Sequence, residues 1–241
     1  GLELDIVSPN GNVLDENPSV YDFAAMVPIQ VVNAMSQINQ VKKLLIGGAA
    51  PSTTLLQQLQ SKETNSFVTY GMTETLTHIA SRSVKSKDTV FNVLPGVQIT
   101  QDARQCLNIE VPYLTKDTVV TNDLVTIISD TSFTLLGRID HVINSGGVKV
   151  IPEAVEEKIS SLIACPFFIT SFADEQLGQK VVLVLEQKED AQNIIELIKE
   201  KKILSTYELP KKVFFLDAFE YTENGKLKRK ATAAKLEARP Y

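Results

Sequence analysis

The sequence predicts an α/β region followed by a small α+β domain, and three observations predict it. Strand-like and helix-like runs alternate through the first part of the chain, the rhythm of a mainly parallel sheet. Short β-rich runs separated by Pro, Asn and Asp take over after residue 88. Then Gly137–Pro152 reads as a hairpin beside a junction. There Arg138 and Asp140 stand two apart, Gly146-Gly147 divides two strand-like runs, and Pro152 can open a helix. We expect 1–137 to form part of a larger domain and 138–241 to form a small mobile one.

Composition narrows the classes. In 241 residues, 44% hydrophobic content suffices for a core, and 22% charged residues fit a globular chain rather than a disordered one. A net charge of −5 with no long basic block argues against a nucleic-acid partner. No apolar run reaches the length of a membrane span, and Gly1-Leu2-Glu3-Leu4-Asp5 is unlike a secretory leader, so we expect a cytoplasmic protein. Cys106 and Cys165 are too few for a disulfide framework, and Cys165, after Leu162-Ile163-Ala164, suits a small buried hydrophobe. His78 and His141 have no ligand-spaced partner that would suggest zinc.

Taken in order, residues 3–7 alternate and predict a strand, and 8–19 a loop. Asp22–Val27 is apolar, and Pro28 can begin a helix with Ile29, Val32 and Met35 on its inner face. Lys42–Ile46 predicts a strand running into Gly47-Gly48-Ala49-Ala50-Pro51. Ser52-Thr53-Thr54 can cap a helix to about Gln60, and Phe67–Tyr70 predicts a strand stopped by Gly71. Strands are expected near 95–100, 106–111, 118–129 and 132–136. Beyond the hairpin, Pro152–Leu162 predicts an amphipathic helix with Val155, Ile159 and Leu162 inward. Strands at 167–172 and 180–186, a helix over Ala191–Lys201, a strand at Lys212–Leu216 and a helix over Lys228–Glu237 complete the chain.

Four segments could carry chemistry. Tyr70-Gly71-Met72-Thr73-Glu74 lies at the C-terminal end of an expected parallel strand, the edge where open α/β sheets bind ligands. Its phenol, hydroxyl and carboxylate could stack on a base, meet a phosphate and hold Mg²⁺; the plainer alternative is a strand followed by a helix capped by Thr73. The loop at Gly47, Gly48 and Ala49 would let a ligand approach the backbone, or is simply a turn. Asp123, in Thr121-Asn122-Asp123, could hold ribose hydroxyls or be an ordinary turn acid. Thr222–Arg229 holds an Asn224-Gly225 turn presenting Lys226, which could reach a phosphate or merely face solvent.

The order of these segments resembles that of the AMP-forming acyl-CoA synthetases and adenylation domains, from about Gly47 to the C-terminus. In that family an acid attacks the α-phosphate of ATP to give an acyl-adenylate, and a thiol, usually of CoA, then displaces AMP. The resemblance implies that Tyr70 packs against adenine, with Gly47, Gly48, Ala49 and Gly71 lining the pocket. It implies phosphate contact by Thr73, Mg²⁺ binding by Glu74, and ribose binding by Asp123 and Arg138. Asp140 would be the hinge, Gly146 and Gly147 would border the pantetheine tunnel, and Lys226 would bridge carboxylate and α-phosphate.

Met72–Ala80 and Asp22–Pro28 further resemble o-succinylbenzoate–CoA ligases of menaquinone biosynthesis, in which case Thr77 or His78 would face the acid. Packing is the alternative for His78. Two features depart from the family. Its Ser/Thr/Gly-rich phosphate loop ending in Pro-Lys is nowhere in this sequence, and Tyr221-Thr222 stands where a Pro usually precedes the Gly-Lys turn. We therefore expect a C-terminal piece of a longer enzyme, inactive by itself and prone to self-association through an exposed sheet edge. An adenylation domain charging a carrier protein and a non-catalytic nucleotide-binding fragment are the competing readings.

Overall fold

The computed structural model describes residues 3–7, 13–14, 20–86, 88–186, 191–222 and 226–237. Backbone proximity divides the chain into two units, Gly1–Val97 with Val111–Lys116, and Gln98–Glu110 with Asp117–Tyr241.

In the first unit, β1 (Tyr21–Met26), α1 (Pro28–Asn33), β2 (Val41–Ile46), α2 (Thr53–Gln60) and β3 (Asn65–Gly71) give the expected strand–helix alternation. The three strands are parallel, with Met26 opposite Ile46 and Ile46 opposite Val68. Ser52 caps α2, its hydroxyl accepting from the Leu55 N–H at 3.2 Å. Leu44, Ile46, Leu55 and Leu59 are buried. Burying a side chain of this size stabilises the fold by about 1.5–3 kcal/mol. β4 (His78–Ser83) then runs antiparallel to β3, and β5 (Val90–Val93) antiparallel to β4.

Three local expectations are corrected here. Residues 3–7 are exposed and irregular, because alternating polarity supplies no partner backbone. On α1 the inner face is Val31, fully buried, followed by Ala34 and Ile38, while Ile29 and Val32 are 57% and 50% exposed. A helix of 6 residues is too short for its sequence to reveal which of two apolar rows turns inward. After Tyr70–Glu74 no α-helix forms; a single 3-10 turn, Thr73–Thr75, leads back into β4.

The second unit begins as an antiparallel meander of β6 (Gln98–Gln101), β7 (Cys106–Glu110), β8 (Val119–Ser129) and β9 (Ser132–Arg138). A second sheet follows. β10 (Ile143–Ser145) and β11 (Val148–Val150) form the Gly-Gly hairpin, closed by Gly146 and Gly147 at φ +58° and +80°. Two successive positive φ angles make the two-residue turn whose twist matches paired strands.

β12 (Phe167–Asp174) pairs antiparallel with β13 (Gly178–Leu185), and β14 (Lys212–Phe215) joins β13 in parallel. α3 (Pro152–Ile159), α4 (Ala191–Lys201) and α5 (Arg229–Glu237) pack around this sheet. Val181, Leu183 and Leu185 face one core with Val155, Ile159 and Ile198; Val184 faces another with Phe168, Phe219 and Leu236. A strand covered on both faces reads as a continuous apolar run, which is how β13 appears in the sequence. Cys165 is buried in the first of these cores, and Leu162 packs against it.

Candidate functional site

The Gly47–Ala49 loop leaves β2 and the Tyr70–Glu74 segment ends β3, so two neighbouring parallel strands deliver both to the same sheet edge. The Gly47 N–H donates to the Met26 carbonyl at 3.1 Å, and a side chain on Gly47 would lie 2.7 Å from Thr69 Oγ1. Gly48 and Ala49 then lead towards the capped start of α2. Tyr70 is only 8% exposed, its ring tilted against Phe91 with centroids 6.0 Å apart.

The turn that follows is tightly specified. A Cβ on Gly71 would lie 2.5 Å from the Thr77 carbonyl oxygen, so the chain can close there only without one. The Thr75 hydroxyl donates towards the Met72 and Thr77 carbonyls, at 3.0 and 2.8 Å, and accepts from the Met72 N–H at 3.2 Å. Leu76 has φ +58° and an exposed side chain, a conformation an L-residue adopts at a cost. Thr73 and Glu74 are exposed on this turn, and Thr77 Oγ1 lies 3.2 Å from His78 Nδ1. Gly47, Gly48, Ala49, Tyr70, Gly71, Thr73, Glu74, Thr77 and His78 thus belong to one unit and one sheet edge.

In the second unit, β8 and β9 pair Asp123 with Arg138. Arg138 donates from one nitrogen to Asp123 Oδ1 at 3.1 Å and from the other to Asp140 Oδ2 at 2.9 Å. Asp123 is 8% exposed, with its N–H bonded to Thr121 Oγ1, while Asp140 lies nearer solvent in the 3-10 turn Ile139–His141. The Arg138 hydrogen bond, against weak burial and with help from Asn122, holds the Asp140 carboxyl below the ordinary carboxylate range. The three residues the sequence placed around a ribose and a hinge therefore form one trio, two carboxylates sharing a single guanidinium.

Gly146 and Gly147 lie at the tip of the β10–β11 hairpin, with Tyr207 and Leu177 beside Gly146 and open space where a Gly147 side chain would stand. Lys226 is exposed; its backbone closes on Thr222 through the Lys226 N–H to Thr222 Oγ1 at 3.0 Å and the Thr222 N–H to the Lys226 carbonyl at 2.8 Å. Residues 223–225 of this turn, including the Asn-Gly pair, lie outside the described residues.

Sequence reasoning missed a set of partly buried charges around α3. On α3, Glu156 takes both guanidinium nitrogens of Arg229 at 2.5 and 2.6 Å and accepts the Ile169 N–H at 2.7 Å. Glu153, one turn earlier, is hydrogen-bonded to His141. Burial opposes its ionisation, but the His141 bond and the Arg229 charge outweigh it and lower its pKa. The one available signal was two glutamates three apart on an otherwise apolar-facing helix.

This layout, a parallel-strand edge with a glycine loop followed by an antiparallel meander and a second small sheet, matches part of the adenylate-forming fold. No family model matches the sequence. The acyl-CoA synthetase (AMP-forming)/AMP-acid ligase II-like protein of Dyadobacter fermentans is 35% identical, covers 95% of this chain and is itself covered to 70%, with a TM-score of 0.54. The chain belongs to the AMP-forming acyl-CoA synthetase family.

The 2-succinylbenzoate–CoA ligase of Escherichia coli (strain K12) is 26% identical over 200 residues, which are 74% of this chain and 43% of that protein. The o-succinylbenzoate coenzyme A synthetase of Bacillus subtilis, solved with ATP and magnesium, shares the fold at a TM-score of 0.73 and 22% identity, over 88% of this chain and 51% of that one. The chain spans about half the length of the curated relatives it matches. Among the described residues no helix is long and apolar enough to cross a membrane.

Proposed function

We propose that this chain serves an ATP-dependent acid–CoA ligase whose acid is o-succinylbenzoate, activated as the acyl-adenylate and then transferred to CoA. The observation that carries the reading is Arg138 bridging Asp123 and Asp140. A buried acid beside a guanidinium presents acceptors and donors suited to the two hydroxyls of a ribose. The exposed second acid, shared by the same guanidinium, suits a residue whose surroundings exchange as a small domain turns. On this reading the domain boundary falls at 137/138.

In this reading Tyr70 packs against adenine, and the Gly47–Ala49 loop, at the same sheet edge, lines the same pocket. Thr73 meets phosphate. Glu74 stands exposed as a single carboxylate, and among the described residues no cluster of three His, Cys, Asp or Glu could cage a metal. That donor set fits Mg²⁺, which is commonly held by one or two carboxylates together with substrate phosphates. Bound there, Mg²⁺ would offset the charge that builds on phosphorus oxygens, and the role proposed for Lys226 is to offset that charge as well. Thr77 and His78 supply polar groups for the acid. Gly146 and Gly147 let pantetheine pass close to the backbone.

The likeness to 2-succinylbenzoate–CoA ligases supports the choice of acid. ATP–pyrophosphate exchange on the natural gene product that carries this chain tests it, with o-succinylbenzoate beside benzoate, a fatty acid and several amino acids. Exchange with o-succinylbenzoate alone is expected. Exchange with another acid would keep the mechanism and replace the substrate. No exchange with any acid would remove the ligase reading.

A further inference from the structure

We infer that Asn122 is a positioning residue that fastens the hinge to strand β8; this rests on the reading of Asp140 as the hinge. Three segments distant in sequence meet at its side chain. Arg104, on the turn between β6 and β7, donates to Asn122 Oδ1 at 3.0 Å. Asn122, on β8, donates from Nδ2 to Asp140 Oδ1 and Oδ2, each at 3.2 Å. Asp140 lies in the turn after β9.

The charges on either side fix which way the amide faces. Its oxygen meets a guanidinium and its nitrogen meets a carboxylate; turned over, donor would face donor and acceptor would face acceptor. Arg104 is itself anchored, by Asp102 Oδ2 at 2.8 Å and by the Thr121 carbonyl at 3.0 Å. The donor reaching Asp140 is therefore oriented through an arginine that is itself held by two further hydrogen bonds.

Asn122 and Asp123 are neighbours on β8, and both hold residue 140. Asn122 does so directly, and Asp123 through the shared guanidinium of Arg138. Any backbone rotation at 140 that carries its carboxylate away must first break the amide contact. Asn122 thereby biases the hinge equilibrium without touching a reacting atom.

The test has two arms. In the 241-residue chain, amide hydrogen exchange is followed at 139–142, with 181–185 in β13 as reference. A solvent-accessible bond to a charged group contributes enough that Asn122→Ala should speed exchange at 139–142 about fivefold. Asn122→Asp, which keeps the shape but sets a carboxylate against Asp140, should speed it further, with 181–185 unchanged in both. Unchanged exchange at 139–142, or equal acceleration at 181–185, overturns the inference.

In the natural gene product, Asn122→Ala should alter the ratio of adenylate formation to thioester formation about fivefold, as should Asp140→Ala. If Asp140→Ala shifts the ratio and Asn122→Ala does not, the inference falls and the hinge stands. If neither shifts it, the hinge reading falls and takes the inference with it.

Discussion

Arg229 and Glu156, 73 residues apart in sequence, meet through two parallel N–H···O bonds of 2.5 and 2.6 Å. The guanidinium also lies 5.8 Å from the centre of the Phe168 ring and donates to the Ile169 carbonyl. Glu156 holds the Arg229 pKa above its ordinary value despite burial. Removing one partner leaves a mostly buried charge uncompensated. Arg229→Ala should therefore cost about 2–4 kcal/mol in urea unfolding, whereas the paired change to Leu at both positions should cost much less. Equal losses for the single and double variants would contradict this account.

Gly71→Ala tests the turn after β3. The added methyl meets backbone, not a flexible side chain, so β3 and β4 must part locally. A loss of about 1–3 kcal/mol is expected, with greater protease sensitivity at 72–77. A variant as stable and as resistant as the parent would show that the loop relaxes freely.

Lys226→Ala should separate the two chemical steps. In the natural gene product it should slow adenylate formation at least ~100-fold, the scale seen when one charge-stabilising group is removed, and spare thioester formation from supplied acyl-adenylate. Equal loss of both steps would remove Lys226 from the role proposed for it.

Asp140 gives the pH prediction. Its folded pKa is depressed, chiefly by the Arg138 hydrogen bond, so its contribution is present above the unfolded carboxylate pKa and lost as pH falls through the folded one. The gap in urea midpoint between the parent and Asp140→Asn should hold steady at neutral pH and close below about pH 4. A gap that persists to pH 2 would mean the carboxylate charge is not what matters.

The alternation of strands and helices, the capped start of α2 and the Gly-Gly hairpin were legible because each is local: a periodicity, a hydroxyl before a helix, two glycines between apolar runs. Asp123, Arg138 and Asp140 could be nominated from the order of motifs, but not the two hydrogen bonds by which the Arg138 guanidinium joins the acids. The pairing of Arg229 with Glu156, and of Arg104 with Asn122, depends on chain segments brought together by folding, and no spacing encodes it. The inner face of α1 escaped because Ile29 and Val32 are as apolar as Val31. β4 escaped because a polar turn after a parallel strand so often opens a helix, and Leu76 at positive φ gives no sign of itself in sequence.

The Gly-Gly hairpin is riveted at three points to the start of β13 and the residue before it. Ser145 pairs with Gly178, the Gly146 N–H bonds to the Leu177 carbonyl at 2.9 Å, and the Asn144 N–H bonds to Gln179 Oε1 at 2.7 Å. The hairpin is thus cargo of the C-terminal sheet, not a strap between two parts. If that sheet turns as proposed, the glycine tip travels with it as the end of a lever arm.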